Sequence, residues 1–173
     1  MKKQDLSENQ VKFSYLAIGS NLGNRTENIE RAKFELQNNQ IQIIKISSNF
    51  ISESWPNPKN PKFINIVMKI KTSLLPLDLL KICKMIEKKL GRKKSIKNAP
   101  RTCDIDIIDY KQKVINLKND MLILPHPRIG ERNFVLLPLF EINKLWIDPK
   151  SNTKIMDLIN SLPIKDLRSI KQI

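Results

Sequence analysis

The sequence predicts an α+β fold, a two-layer sandwich in the order βαββαβ with extra C-terminal strands and helices, and three observations predict it. Apolar residues alternate at period two along Phe63–Thr72, with apolar strand-like runs at Phe13–Ile18 and Cys103–Tyr110. They recur at helical spacing in Ile29, Ala32 and Leu36, and again in Leu79, Ile82, Ile86 and Leu90. Gly19, Gly91 and a Pro56, Pro58, Pro61 cluster punctuate these runs where elements must end.

In chain order, Phe13–Ile18 reads as a strand ending at Gly19, and Thr26 is the expected N-cap of the first helix. Ile41–Ile51 alternates loosely as a second strand, and the proline cluster forbids regular structure until Phe63. In the third strand Ile64, Ile66, Met68 and Ile70 share a core-facing side, while Asn65 and Lys69 lie on the other. Pro76 suits the first turn of the second helix, and Gly91 is a natural stop for it. A basic loop, Arg92 to Arg101, leads to the Cys103–Tyr110 strand and completes a ferredoxin-like order. A Val114–Ile115 strand, a Phe134–Ile142 helix interrupted by Pro138 and an Ile155–Leu162 helix read as additions to the same sheet.

At 173 residues the chain can bury one sizeable core. Residues 12–163 read as one domain between an N-terminal tail, 1–11, and a C-terminal tail, 164–173. Cys83 and Cys103 are too few for a disulfide framework and lie in apolar segments, which fits a reducing cytoplasm. No stretch approaches the length of a membrane span and none reads as a secretion signal. The net charge of +14 suits phosphate-bearing partners, although lysines spread over every segment also describe a solvated surface.

The chemistry concentrates in Ala99-Pro100-Arg101-Thr102-Cys103-Asp104-Ile105-Asp106-Ile107-Ile108. Residues two apart on a strand point to the same face at roughly 6.5 Å, so Asp104 and Asp106 present their carboxylates side by side. Magnesium takes one or two such carboxylates and completes its shell with water and substrate phosphates. Arg92 and Arg101 stand beside them, and arginine can grip phosphate bidentately. Spacing alone also fits an exposed strand face that carries acids between buried Cys103, Ile105 and Ile107.

The segment Lys97-Asn98-Ala99-Pro100-Arg101-Thr102-Cys103-Asp104-Ile105-Asp106-Ile107-Ile108 resembles the signature of the 6-hydroxymethyl-7,8-dihydropterin pyrophosphokinase family. Ala17-Ile18-Gly19-Ser20-Asn21-Leu22-Gly23, Phe63-Ile64-Asn65, and Leu124-Pro125-His126-Pro127-Arg128 leading to Arg132 and Phe134 agree in order. The resemblance implies an ATP-dependent diphosphotransferase of folate synthesis that gives AMP and the pterin diphosphate. It implies that Asp104 and Asp106 bind two magnesium ions and that Glu87, Arg92, Lys97, Arg101, His126 and Arg132 surround ATP. Ser54, Phe63, Asn65, Asp104 and Phe134 would hold the pterin, the two phenylalanines sandwiching the ring. Arg92 and Arg101 would act with the two aspartates in catalysis.

The chain departs from the family pattern at Asn98-Ala99, where Trp-Gly is usual, at Lys97, where Arg is frequent, and at Phe63, where Tyr is frequent. Its loop after Ser54 is short. The expected partners are the two small substrates, with a monomer and neither nucleic acid nor membrane. The same element order also describes RNA-binding modules, but those read bases with aromatics on central strands, and Phe63–Thr72 offers only Phe63 at its edge. Another phosphoryl transferase of the same fold is the remaining alternative.

Overall fold

The computed structural model describes residues 13–55, 57–92, 98–117 and 121–173; the expected N-terminal tail, 1–11, and Lys97 lie outside them. A mainly antiparallel sheet forms the centre. Strand β1 (Ser14–Ser20) lies between β5 (Asp104–Tyr110) and β4 (Phe63–Lys71). The far edge of β4 is shared by β2 (Gln42–Ile46) and β3 (Phe50–Ser52), and β3 also pairs with β8 (Ile170–Gln172). The pair β6 (Ile115–Asn116) and β7 (Ile123–Leu124) forms a small sheet of its own rather than extending the main one.

Helices α1 (Arg25–Asn38) and α2 (Pro76–Lys89) cover one face of the sheet. Their Ile29, Leu36, Leu79 and Ile86 pack on Leu16, Ile18, Ile66, Met68 and Ile105 in one buried cluster. Cys83 and Cys103 belong to it, and burial pushes both thiols up to about 12, which makes them inert packing groups. The first helix starts at Arg25, not after Thr26: Asn24 is the cap, its side chain accepting from the Glu27 N–H at 3.3 Å. Asn caps better than Thr and here follows the φ +68° turn at Gly23.

The opposite face is also covered, which the alternation of β4 did not lead one to expect. Helix α3 (Asn133–Ile142) sets Val135, Leu136 and Leu139 on Tyr15, Val67 and Ile108, with α4 (Ile155–Asn160) and Trp146 behind them. Helix α3 runs continuously through Pro138 rather than breaking there. The proline sits where its missing N–H sacrifices one bond, and burial of the flanking Leu136 and Leu139 outweighs that loss.

Two further boundaries differ from the sequence reading. Ile41–Ile51 is two strands, β2 and β3, with Ser47 between them turning its hydroxyl to accept from the Val67 N–H at 3.0 Å. Residues 164–173 are not a loose tail: α5 (Ile164–Arg168) precedes β8, whose Ile170 is buried against the sheet.

Candidate active site

Helix α3 covers the second face of the sheet only in part, and the uncovered part is a cleft. Its floor is made by the small residues of β1. Ala17 lies between Val67 and Asp106 in the strand register, and Gly19 lies between Asn65 and Asp104. A Cβ on Gly19 would stand 3.0 Å from Asn65 Oδ1 and 3.2 Å from Phe63 Cδ1, so the open floor depends on a glycine there. The cleft is a shallow site that opens to solvent, with about 610 Å³ of space when that opening is counted.

Strand β5 forms one wall, and the period of two sends Ile105 and Ile107 into the core and Asp104 and Asp106 into the cleft. Arg92 follows the stop of α2, where Gly91 (φ +88°) lets the Arg92 and Gly91 N–H groups cap the Glu87 and Lys88 carbonyls, both at 3.0 Å. That stop aims Arg92 at Asp104, Nη1 to Oδ1 being 2.6 Å, and Arg101 reaches the other oxygen of Asp104 at 2.7 Å. Arg132, just before α3, holds Asp106 at 2.7 Å, and His126 Nε2 lies 3.9 Å from the same oxygen.

These contacts set the protonation states. Burial pushes the Asp106 carboxyl up, but Arg132 and His126 outweigh it and hold it below the ordinary carboxylate value. Burial and then the Arg132 charge bring His126 down to about 4, so its imidazole is neutral at pH 7, with Nδ1 accepting from the Arg128 N–H at 3.2 Å. Arg101 and Arg132 each keep a buried Nε–H without a hydrogen-bond partner among the described residues. A buried donor left unpaired is costly, and a phosphate oxygen is the acceptor that an arginine site of this kind takes.

The other end of the cleft is flat and apolar. Phe63 and Phe134 line it, Arg101 lying 5.4 Å from the first ring centroid and Arg132 5.6 Å from the second. Asn65 is buried between strands, where its Nδ2 donates to Ser52 Oγ at 2.9 Å, leaving Oδ1 beside Gly19.

Of the residues expected from the sequence, Phe63, Asn65, Arg101, Asp104, Asp106, Arg132 and Phe134 line one cleft, with Arg92 and His126 one layer behind the aspartates. Glu87 does not reach it. Its carboxylate is buried under β5, accepting from the Ile105 N–H at 2.7 Å, from Lys84 at 2.8 Å and from Arg92 at 2.6 Å. Ser54 is turned away as well: its hydroxyl donates to the Pro61 carbonyl at 2.5 Å and accepts from Asn21 at 3.2 Å.

Asn21 itself escaped the sequence reading. Buried after β1, it donates to Ser54 and Pro61 and accepts from the Arg101 N–H at 2.7 Å, tying three loops of the cleft together. Its place in the Ala17–Gly23 segment was the available signal. Trp55, Arg128 and the floor residues Ala17 and Gly19 also went unassigned although all line the cleft.

For a divalent cation, no group of three His, Cys, Asp or Glu side chains exists among the described residues. Two adjacent carboxylates with room for phosphates are nonetheless the donor set that magnesium accepts, since it fills the rest of its shell with water and substrate oxygens. No described helix is long and apolar enough to cross a membrane.

Comparison with known proteins gives the chain its relatives. The family model for 7,8-dihydro-6-hydroxymethylpterin-pyrophosphokinase (HPPK) matches residues 15–144. A 2-amino-4-hydroxy-6-hydroxymethyldihydropteridine pyrophosphokinase of Aquifex aeolicus is 43% identical over 135 residues, covering 78% of this chain and 82% of the relative. The protein of that name from Bacillus subtilis is 38% identical over 131 residues, covering 75% and 77%. The folic acid synthesis protein fol1 of Pneumocystis carinii is 37% identical over 166 residues, which are 95% of this chain but only 22% of that relative's length. A crystal structure of a Plasmodium falciparum HPPK-DHPS triple mutant with pteroate superposes with a TM-score of 0.70 at 15% identity, covering 97% of this chain and 48% of that one.

Proposed function

This chain belongs to the 7,8-dihydro-6-hydroxymethylpterin-pyrophosphokinase family, an ATP-dependent enzyme class of folate synthesis, and from that membership we propose how its own residues carry out the transfer. The observation that carries the reading is the single cleft with a flat apolar end, walled by Phe63, Phe134 and Asn65, and an end where two aspartates stand among arginines.

The pterin ring enters between Phe63 and Phe134, displacing the arginine faces that rest near them, and Asn65 hydrogen-bonds its polar edge. Gly19 leaves room for the ring to lie against the sheet. Asp104 and Asp106 are the carboxylates that would hold two magnesium ions, and such ions would supply neutralising charge to the ATP phosphates. Arg92, Arg101 and Arg132, held by the two carboxylates at rest, exchange part of that pairing for phosphate oxygens, and the unpaired Nε–H groups of Arg101 and Arg132 gain acceptors. The hydroxymethyl oxygen then attacks the β-phosphorus in line. The new carbon–oxygen–phosphorus linkage forms as the bond to the oxygen bridging the α- and β-phosphates breaks, AMP leaves with that oxygen, and the hydroxyl proton is released to water. The chain's contribution is position and fixed positive charge, the terms that dominate phosphoryl transfer.

The test is the identity of the product nucleotide. Incubation with ATP, magnesium and 6-hydroxymethyl-7,8-dihydropterin should give AMP and the pterin diphosphate in equal amounts. ADP instead of AMP would place the phosphates in another register and overturn the reading.

A further inference from the structure

Three arginine–aromatic pairs surround the cleft, and one of them has no part in the chemistry described so far. Arg101 lies over Phe63 and Arg132 over Phe134, and both arginines are also bound to aspartates. The third pair is Arg128 over Trp55, with the guanidinium 4.9 Å from the ring centroid, and both residues line the same cleft as Asp106 and Arg132. Trp55 is half exposed at 51% and belongs to the loop between β3 and β4, while Arg128 stands just before the short 3-10 turn Ile129–Glu131 that leads into α3. The contact therefore links two segments remote in sequence across the cleft mouth.

Among the described residues no carboxylate lies within ion-pair distance of Arg128, in contrast to Arg92, Arg101 and Arg132. An aromatic face attracts a guanidinium weakly, by about 0.5 to 1 kcal/mol at an exposed site, and leaves its five donors unused. The side chain is thus aimed and charged but not neutralised, beside a site whose substrate carries a triphosphate.

We propose that Arg128 is a substrate-binding residue that grips the ATP phosphates from the open side of the cleft, and that Trp55 is the positioning residue whose indole presents it. The inference rests on the pyrophosphokinase reading above. When ATP arrives, the guanidinium keeps its stacking face on Trp55 and donates its edge N–H groups to phosphate oxygens, because stacking and in-plane hydrogen bonding use different parts of the group. The pterin, uncharged, gains nothing from Arg128.

The experiment measures Michaelis constants for both substrates and binding of an ATP analogue with a methylene between the α- and β-phosphorus, with magnesium present. Arg128→Ala should raise the ATP constant about tenfold or more, the loss expected for a charge-assisted hydrogen bond, and leave the pterin constant within about twofold. Arg128→Lys should fall between. Trp55→Ala should raise the ATP constant less, and Trp55→Phe should restore it. The two tryptophans make binding visible, since Trp146 is buried at 1% and bonded to Asp109 while Trp55 faces the cleft. The analogue should shift the emission of the native protein and not that of Trp55→Phe.

An Arg128→Ala variant with native ATP constant and native analogue affinity overturns the proposal. So does an equal rise for both substrates accompanied by a lowered melting temperature, which marks a structural role. A native protein that makes no AMP overturns the functional reading instead, and the analogue titration still decides the contact.

Discussion

At the scale of single residues, the cleft depends on what is missing as much as on what is present. Gly19 sits at the crossing of the two ends, one neighbour in the register being Asn65 and the other Asp104. A methyl there would press on Asn65 Oδ1 at 3.0 Å and on the Phe63 ring at 3.2 Å, both of which must move by a few tenths of an ångström. Gly19→Ala should therefore raise the pterin Michaelis constant about tenfold, since displacements of this size at a positioned site are felt strongly, with little change in the ATP constant. Steady-state kinetics with each substrate varied in turn checks this, and equal effects on both would remove Gly19 from the ring site. The aspartates obey a different rule. Asp104→Asn and Asp106→Asn keep shape but lose the charge that holds Arg92 and Arg101 at the first site and Arg132 at the second, and that would hold magnesium, so each should cut turnover by about a hundredfold or more. Near-native turnover by a folded variant at ordinary magnesium concentration would sink the metal assignment.

At the scale of elements, β5 carries the aspartates on the open edge of the sheet, and an edge strand needs a partner for its outward N–H groups. Helix α2 supplies one through Glu87, whose buried carboxylate accepts from Ile105 and also anchors Arg92. Glu87→Ala leaves that N–H and that arginine without their acceptor and should lower unfolding free energy by on the order of 3 kcal/mol, read from urea denaturation. A loss of ATP affinity without a loss of stability would instead return Glu87 to the ligand shell. The sequence placed Glu87 near the right chemistry and missed its direction, because helical spacing tells which residues share a stripe but not which side of the neighbouring strand the stripe meets. Period two was enough to send Asp104 and Asp106 together into the cleft, and Pro76 and Gly91 bounded α2 correctly. What stayed hidden was decided at long range. Ser54 turns inward because Asn21 and Pro61 meet it there, and β8 joins the sheet because β3 offers a free edge. No local pattern in 164–173 announces that pairing.

At the scale of the whole molecule, burial by the fold and two arginines, Arg132 and Arg128, act on the chain's only histidine. His126 lies among Arg132, Arg128, Asp106 and Asp104; burial and the arginines favour its neutral form, and the aspartates oppose them without prevailing. Its folded value is about 4 against about 6.5 for an unperturbed imidazole. Between those values the unfolded chain binds a proton that the folded chain refuses, so stability rises with pH across the window and is lost as pH falls from about 6.5 towards 4. Replacing His126 with glutamine keeps an acceptor for the Arg128 N–H and removes the titration. Urea midpoints of the native protein should therefore fall relative to His126→Gln as pH drops through that window, by a difference on the order of 2 to 3 kcal/mol between its ends. Carboxylates elsewhere titrate in both proteins and cancel in the comparison. Parallel stability curves would mean that His126 accepts its proton as readily folded as unfolded, and that the positive wall of the cleft does not reach it.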